Sequence, residues 1–226
     1  MPSRCDLCTA IDPTGAGGPL EHHLHADQPR TIVRTPDATV IPTIGAFVAG
    51  YVLVVPTRHT TSIGMLASAE RRAVHELTEQ LAERIADVYA SPVVGFEYGF
   101  NLPGGRRIEH GHQHLLPSTA GPALRRYLGW HLRTSQVDSM EHLPGGADQS
   151  YISVFEPGHP LSLYPVANDA APRIRLREVV AMLDPQVDAR RWDWQSDPCA
   201  DLMRRTVDDL RGSVRDRGPL AGAGQR

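Results

Sequence analysis

The sequence predicts an α+β fold: an antiparallel five-stranded sheet with one long helix, followed by a C-terminal α/β extension. Three observations lead there. Five short runs rich in β-branched and apolar residues fall before Pro117, three ahead of one long amphipathic pattern and two behind it; strands segregated from a helix in this way read as α+β. The pattern itself, Val74, Leu77, Leu81, Ile85 and Val88 at steps of three and four, is one apolar stripe on a helix. Beyond Pro117 the elements are shorter and joined by polar stretches, the mark of an extension. The expected division is 1–118 for the main domain, 119–217 for the extension and 218–226 for a disordered tail.

Taken in order, the chain opens on Cys5-Asp6-Leu7-Cys8, a turn that lets two thiolates reach one tetrahedral ion if two more ligands arrive from elsewhere; a redox dithiol or two incidental cysteines are the alternatives. The stretch from Ile11 to Gln28 is rich in Gly, Pro and His and reads as a loop, with His22, His23 and His25 facing solvent rather than forming a second metal site. Thr31-Ile32-Val33 and Ala38-Thr39-Val40-Ile41 are strands joined at Pro36-Asp37, and Gly50 to Pro56 is the central strand, delivering His59 just past its exit. Ser68 caps the long helix, whose charged remainder is a solvated face. Val93 to Tyr98 is the fourth strand, and Asn101 to Gly105 turns it into the fifth. In the extension, Leu124 to Arg133 reads as a short helix, 135–149 as a polar linker, and Tyr151 to Tyr164 as a hairpin. Pro172 opens a helix containing Ile174, Val179, Val180 and Leu183; a last helix stops at Gly212; Trp192-Asp193-Trp194 between them packs the extension onto the body.

Composition narrows the function. A chain of 226 residues with 41% hydrophobic and 22% charged residues is ordinary for a soluble globular protein. It has no run near the ~18 apolar residues that a membrane helix requires. No apolar segment follows Met1 as a secretory leader would have it, and an odd count of 3 cysteines argues for a reducing, cytoplasmic compartment. A net charge of -3 offers no general attraction to nucleic acid, so a nucleotide ligand is expected to be small.

The densest chemistry lies in the fifth strand, His110-Gly111-His112-Gln113-His114, which follows the glycine pair Gly104-Gly105. On a strand, side chains two apart share a face, so three imidazoles stand in one row, able to act as nucleophile, proton shuttle or metal ligand; the alternative is a merely polar strand face. Glycine lets a ligand approach backbone N–H groups closely.

This strand, the Gly-x-x-Leu-Val-x-Pro-x-x-His run from Gly50 to His59, and the long helix between them resemble the histidine triad superfamily of nucleotide hydrolases and transferases, over about residues 5 to 117. The likeness is greatest to bacterial, zinc-carrying members with an N-terminal CxxC and a C-terminal extension ending near Trp-Asp-Trp. The resemblance implies that His112 is the nucleophile that takes a nucleotidyl group and that His114 contacts a phosphate oxygen or assists the leaving group. It implies that Asn101, Gly104 and Gly105 hold the non-bridging oxygens, and that Cys5, Cys8, His59 and His110 bind a closed, structural zinc ion. Thr43 and Ile44 fall where many members carry an acidic residue for the ribose hydroxyls. Arg106 and Arg107 replace a Gln-Ser pair, either to grip further phosphate or an acidic leaving group, or as a solvated turn. Gly111 and Gln113 stand where apolar residues are usual.

The implied activity is hydrolysis of a phosphoester, phosphoanhydride or phosphoramidate bond through a nucleotidylyl-histidine. The alternatives are a nucleotidylyltransferase or phosphorylase using the same intermediate, and a nucleotide-binding module without turnover. The resemblance also implies a homodimer with the long helix near its interface and no membrane or nucleic-acid partner. In such an assembly the extension packs on its own domain or on the partner, with Tyr151 to Tyr164 and Arg173 to Arg177 closing over the leaving group or padding the dimer.

Overall fold

A computed structural model of the chain describes residues 5–12, 30–100, 110–166 and 174–217, with side chains described as far as 211. The anticipated phosphate-holding residues Asn101, Gly104, Gly105, Arg106 and Arg107 lie outside the described residues, as do most of the loop 11–28, Pro172 and the tail from 218.

The architecture is α+β with an antiparallel sheet, as the sequence predicts, but the sheet has eight strands rather than five. The expected set forms one contiguous block: β1 (Val33–Arg34), β2 (Ala38–Pro42), β3 (Val52–Pro56), β4 (Val93–Gly99) and β5 (Gln113–Pro117), in the spatial order β1-β2-β3-β5-β4. The extension contributes the other three: β6 (Ser135–Val137), β7 (Ser150–Phe155) and β8 (Leu161–Val166). β7 pairs antiparallel with β4, from Gly95 opposite Phe155 to Gly99 opposite Tyr151, so the sheet runs on without a break through β7, β8 and β6. An apolar edge such as β4 exposes unpaired backbone groups that must be covered, and β7 covers them.

Side chains alternate cleanly across this sheet. Val40, Val54, Leu115, Tyr151 and Phe155 point to one face, where α2 (Ser68–Tyr89) lays its Val74, Leu77, Leu81 and Ile85 stripe on them. Its first turn differs from expectation: Ala67 is the N-cap, and Glu70 closes the turn by accepting the Ala67 N–H at 2.7 Å while Arg58 grips the same carboxylate. Ser68 is already helical. The opposite face, with Val94, Phe96, Leu116, Ile152 and Val154, is covered by α3 (Gly121–His131) and α4 (Leu176–Leu183). At the β2–β3 end of that face, Ile41, Leu53 and Val55 receive α1 (Asp6–Ala10) through Leu7, Ala10 and Ile11.

Two further expectations are corrected. Residues 135–149 are not a linker: β6 pairs with β8, and a short 3-10 turn, Met140–His142, buries Met140 beside α2, where Arg71 donates to the Leu143 carbonyl at 2.9 Å. The final helix, α5 (Ala200–Arg217), passes through Gly212 instead of ending there. A glycine in a helix interior costs only about 1 kcal/mol, and α5 is anchored well before it. Thr206 Oγ1 accepts the Gly50 N–H at 2.8 Å, and Arg211 Nε donates to the Thr31 carbonyl at 2.9 Å. Among the described residues no helix is long and apolar enough to cross a membrane.

Candidate metal centre and histidine cleft

The two halves of the N-terminal motif meet residues about fifty and a hundred positions away. Cys5 and Cys8 flank the first turn of α1, His59 follows β3, and His110 precedes β5; one ligand atom from each lies within 4.8 Å of all the others. Cys8 Sγ is 3.2 Å from His59 Nδ1 and 3.4 Å from His110 Nδ1, and Cys5 Sγ is 3.7 Å from His110 Nδ1. A tetrahedral ion with metal–sulfur bonds of ~2.3 Å and metal–nitrogen bonds of ~2.0 Å holds its ligands about 3.5 Å apart, so this set can hold a metal ion. His110 is prepared for that role: its Nε2–H donates to the Pro56 carbonyl at 2.9 Å, which turns the Nδ1 lone pair toward the sulfurs. Burial, aided by neighbouring His59 and opposed by the Pro56 contact, pushes His110 down to about 4, so it is a neutral donor at pH 7. Burial and adjacent Cys5 push the Cys8 thiol up to about 11, the reverse of a reactive redox cysteine.

The loop bearing His59 is fixed from the α2 face of the sheet. Glu97 of β4, fully buried, accepts the Ile63 N–H at 2.7 Å and the Tyr151 hydroxyl at 2.8 Å, and that hydroxyl accepts the Gly64 N–H at 3.0 Å. Ser62 in the same loop presses on Gly111, where a Cβ would come within 2.5 Å of Ser62 Cα. Gly111 also donates to the Thr60 carbonyl at 2.7 Å, and this bend delays β5 until Gln113. Of the three histidines, only His114 therefore lies in the strand proper. Gly111 is glycine for packing, and Gln113 faces the α2 side, buried, donating to the His114 carbonyl at 3.3 Å.

His112 and His114 share the other face, and their partners fix the proton positions. His112 Nδ1 lies 2.6 Å from the His110 carbonyl, which can only accept, so the proton is on Nδ1 and the lone pair on Nε2. That lone pair faces His114 Nε2 at 3.1 Å, which must then carry a proton. His114 Nδ1 is consequently an acceptor, and Tyr51 Oη donates to it at 2.8 Å. Burial pushes Tyr51 up to about 12, with the Arg177 charge pulling weakly the other way, so the phenol keeps its proton. Phe96, opposite His114 in β4, stacks on its ring at 4.5 Å and holds the plane. Tyr51 and Phe96 were not legible as site residues, since both sit in apolar strand runs and carry no signal of their own, whereas Arg177 falls in the stretch 173–177 that the sequence offers as closing over the leaving group or padding a dimer.

These histidines open into a cleft of about 170 Å³, lined also by Leu7, Leu53, Arg30, Thr43, Ile44, Arg177 and Trp194. α1 forms one wall and the extension the other. Arg177 of α4 works as a staple: it donates to the carbonyls of Trp192 (3.2 Å), Ile44 (3.3 Å) and Gly45 and to Thr43 Oγ1 (3.3 Å), and its guanidinium lies over the Tyr51 ring at 5.2 Å. Gly45, at φ +67, lies directly against Trp194 and leaves no room for a side chain. The tryptophan pair thus fastens the extension to the 43–45 segment.

No family model matches the chain, and no curated protein matches it. A solved structure titled "Hypothetical protein from Leishmania major" is similar at 19% identity over 53% of this chain and 76% of its own, with a TM-score of 0.38, a likeness too slight to carry any argument.

Proposed function

We propose that the protein is a nucleotide hydrolase of the histidine triad type, cleaving a phosphoester, phosphoanhydride or phosphoramidate bond through His112 Nε2. The observation that carries this is the directed chain of hydrogen bonds from Tyr51 through His114 and His112 to the His110 carbonyl. It presents, side by side in a cleft, an imidazole lone pair and an imidazole N–H, which is what nucleophilic displacement at phosphorus with protonation of the leaving atom requires. His112 Nε2 forms a bond to the α-phosphorus as the bond to the leaving oxygen or nitrogen breaks, and the His114 Nε2 proton passes to that leaving atom. Water then attacks the same phosphorus, His114 takes back a proton, and the nitrogen–phosphorus bond breaks to release the nucleotide. The His110 carbonyl stabilises the positive charge that His112 develops at Nδ1–H.

The four-residue cluster is read as a structural zinc site, since two cysteines and two histidines make a closed set of soft and borderline ligands with no position left for substrate. It would tie α1 to His110 and so fix the carbonyl that orients His112. The test is incubation with an adenylylated amine and with a dinucleoside polyphosphate, following free nucleotide and the mass of the protein. Free nucleotide in plain buffer, with an adenylylated histidine peptide that vanishes in His112→Gly, is the expected result. Product only when phosphate is added would assign transfer instead, and binding without product, unchanged in His112→Ala, would refute catalysis.

A further inference from the structure

A second and larger cleft, of about 420 Å³, adjoins the first. Among the described residues His114, Arg177 and Trp194 line both, whereas His112 lines the first alone. The second cleft belongs to the extension: Arg175 and Leu176 at the start of α4 form one side, and Trp192 with Gln195 the other. Arg175 is its exposed cation. The guanidinium lies over the Trp192 ring at 5.2 Å, and its contact with a carboxylate, Glu178 Oε2, is at 4.0 Å, the outer limit of an ion pair, with the Arg175 side chain 67% exposed. So long and open a pair neutralises little charge. A guanidinium laid flat on an indole is oriented by it while its N–H groups, which lie in its own plane, stay available at the edge. The other charges in the lining are engaged. Arg177 donates to the carbonyls of Trp192 and Ile44, and the Asp193 carboxylate is turned to its own bend, 3.1 Å from the Gln195 N–H and 3.1 Å from Ser196 Oγ.

We propose that this second cleft seats the leaving group, and that Arg175 on Trp192 selects a leaving group bearing an anion, a carboxylate or a phosphate-like group. The inference rests on the proposed function for its direction. Displacement at phosphorus sets the attacking and departing atoms in line on opposite sides. A leaving group that points away from His112 Nε2 and still takes the His114 proton extends past His114 into the cleft that His112 does not line. There it meets a planar fork suited to paired, charge-assisted hydrogen bonds with an oxyanion, between indole walls that limit the access of water.

Release of AMP from three adenosine 5′-phosphoramidates by the metal-loaded protein tests it, the amine being β-alaninamide, β-alanine or 2-aminoethylphosphonate. The first two differ by one charge and hardly in shape, and the third separates a phosphate-like anion from a carboxylate. At least one anionic substrate should show kcat/KM about tenfold or more above the neutral amide, as a new charge-assisted pair implies. In Arg175→Met that ratio should fall to near unity, Arg175→Lys should recover part of it, and Arg175→Glu should turn it below one. Equal kcat/KM for all three, a ratio that survives both Arg175→Met and Arg175→Glu, or neither release nor binding of any of them would each overturn the proposal. Calorimetry with the same three compounds lets the two readings fail separately. An Arg175-dependent preference for the anions in binding, without AMP released, removes the hydrolase and keeps the anion seat; AMP released equally from all three does the reverse.

Discussion

Replacing Tyr51 by phenylalanine removes one oxygen from a fully buried position and tests the whole arrangement of protons in the cleft. The lost bond, Tyr51 Oη to His114 Nδ1 at 2.8 Å, leaves a buried imidazole lone pair without its donor. Leaving a buried acceptor unsatisfied costs about 1–3 kcal/mol. The ring can escape by moving its proton from Nε2 to Nδ1, but then two lone pairs, His112 Nε2 and His114 Nε2, face each other at 3.1 Å, which is no better. Either outcome lowers stability by about 1–3 kcal/mol, and the second also deprives the leaving group of its proton donor. General acid catalysis by a positioned group is worth about 10²–10⁴-fold, so a variant whose proton has moved to Nδ1 should lose at least about a hundredfold in kcat with KM little changed, because Tyr51 is shielded from substrate behind His114. Two assays check this: release of nucleotide from a phosphoramidate, and nitrogen-15 NMR of the histidine rings, which reports the tautomer whether or not turnover occurs. A variant with His114 still protonated on Nε2, unchanged stability and kcat within twofold of wild type would refute the reasoning.

Other expectations follow from named contacts. Tyr51 is pushed up to about 12 from an ordinary 10, so the folded state holds its proton more tightly; that stability is complete below pH 10 and is lost as pH rises to 12. Wild type should therefore lose about 3 kcal/mol more than Tyr51→Phe across that interval in alkaline unfolding, and parallel curves would contradict the assignment. Purified protein should carry about one zinc per chain, Cys8→Ser should lose it, and melting should fall with the metal; a full load in Cys8→Ser would contradict the ligand set. Gly111→Ala forces a methyl to 2.5 Å from Ser62 Cα and should cost about 1–3 kcal/mol by overpacking, read as a lower midpoint in urea. Arg177→Met leaves the carbonyls of Trp192, Ile44 and Gly45 without their common donor and should open the Trp194 wall, seen as red-shifted tryptophan emission.

The sequence carried most of this where periodicity and spacing are strong. β2, β3 and α2 follow from β-branched runs and a regular apolar stripe, and the four possible metal ligands do converge. What it did not carry was pairing between distant segments. Tyr151 to Tyr164 reads as a hairpin, yet nothing local says that β7 will add to β4, because the match lies in backbone hydrogen bonds that any strand offers. β6 was hidden for a different reason: Ser135-Gln136-Val137 is a short edge strand, half-exposed or exposed throughout, with no apolar alternation to betray it. Tyr51 and Glu97 were invisible as neighbours of the site since each acts through contacts made only by folding, Tyr51 with His114 and Glu97 with the His59 loop. His112 and His114 were legible because two side chains of one kind, two residues apart, already share a face.

The cleft draws one wall from Leu7 and the other from Trp194, with His112 and His114 near the midpoint of the chain. During synthesis, residues 33–117 supply a sheet block and both imidazoles while the second wall is still inside the ribosome. Neither the Arg177 staple on the 43–45 segment nor β7 along β4 exists at that stage. A nascent chain therefore holds His112, the proposed nucleophile, in an open trough, and an enclosed cleft arises only when the extension has emerged and closed over it.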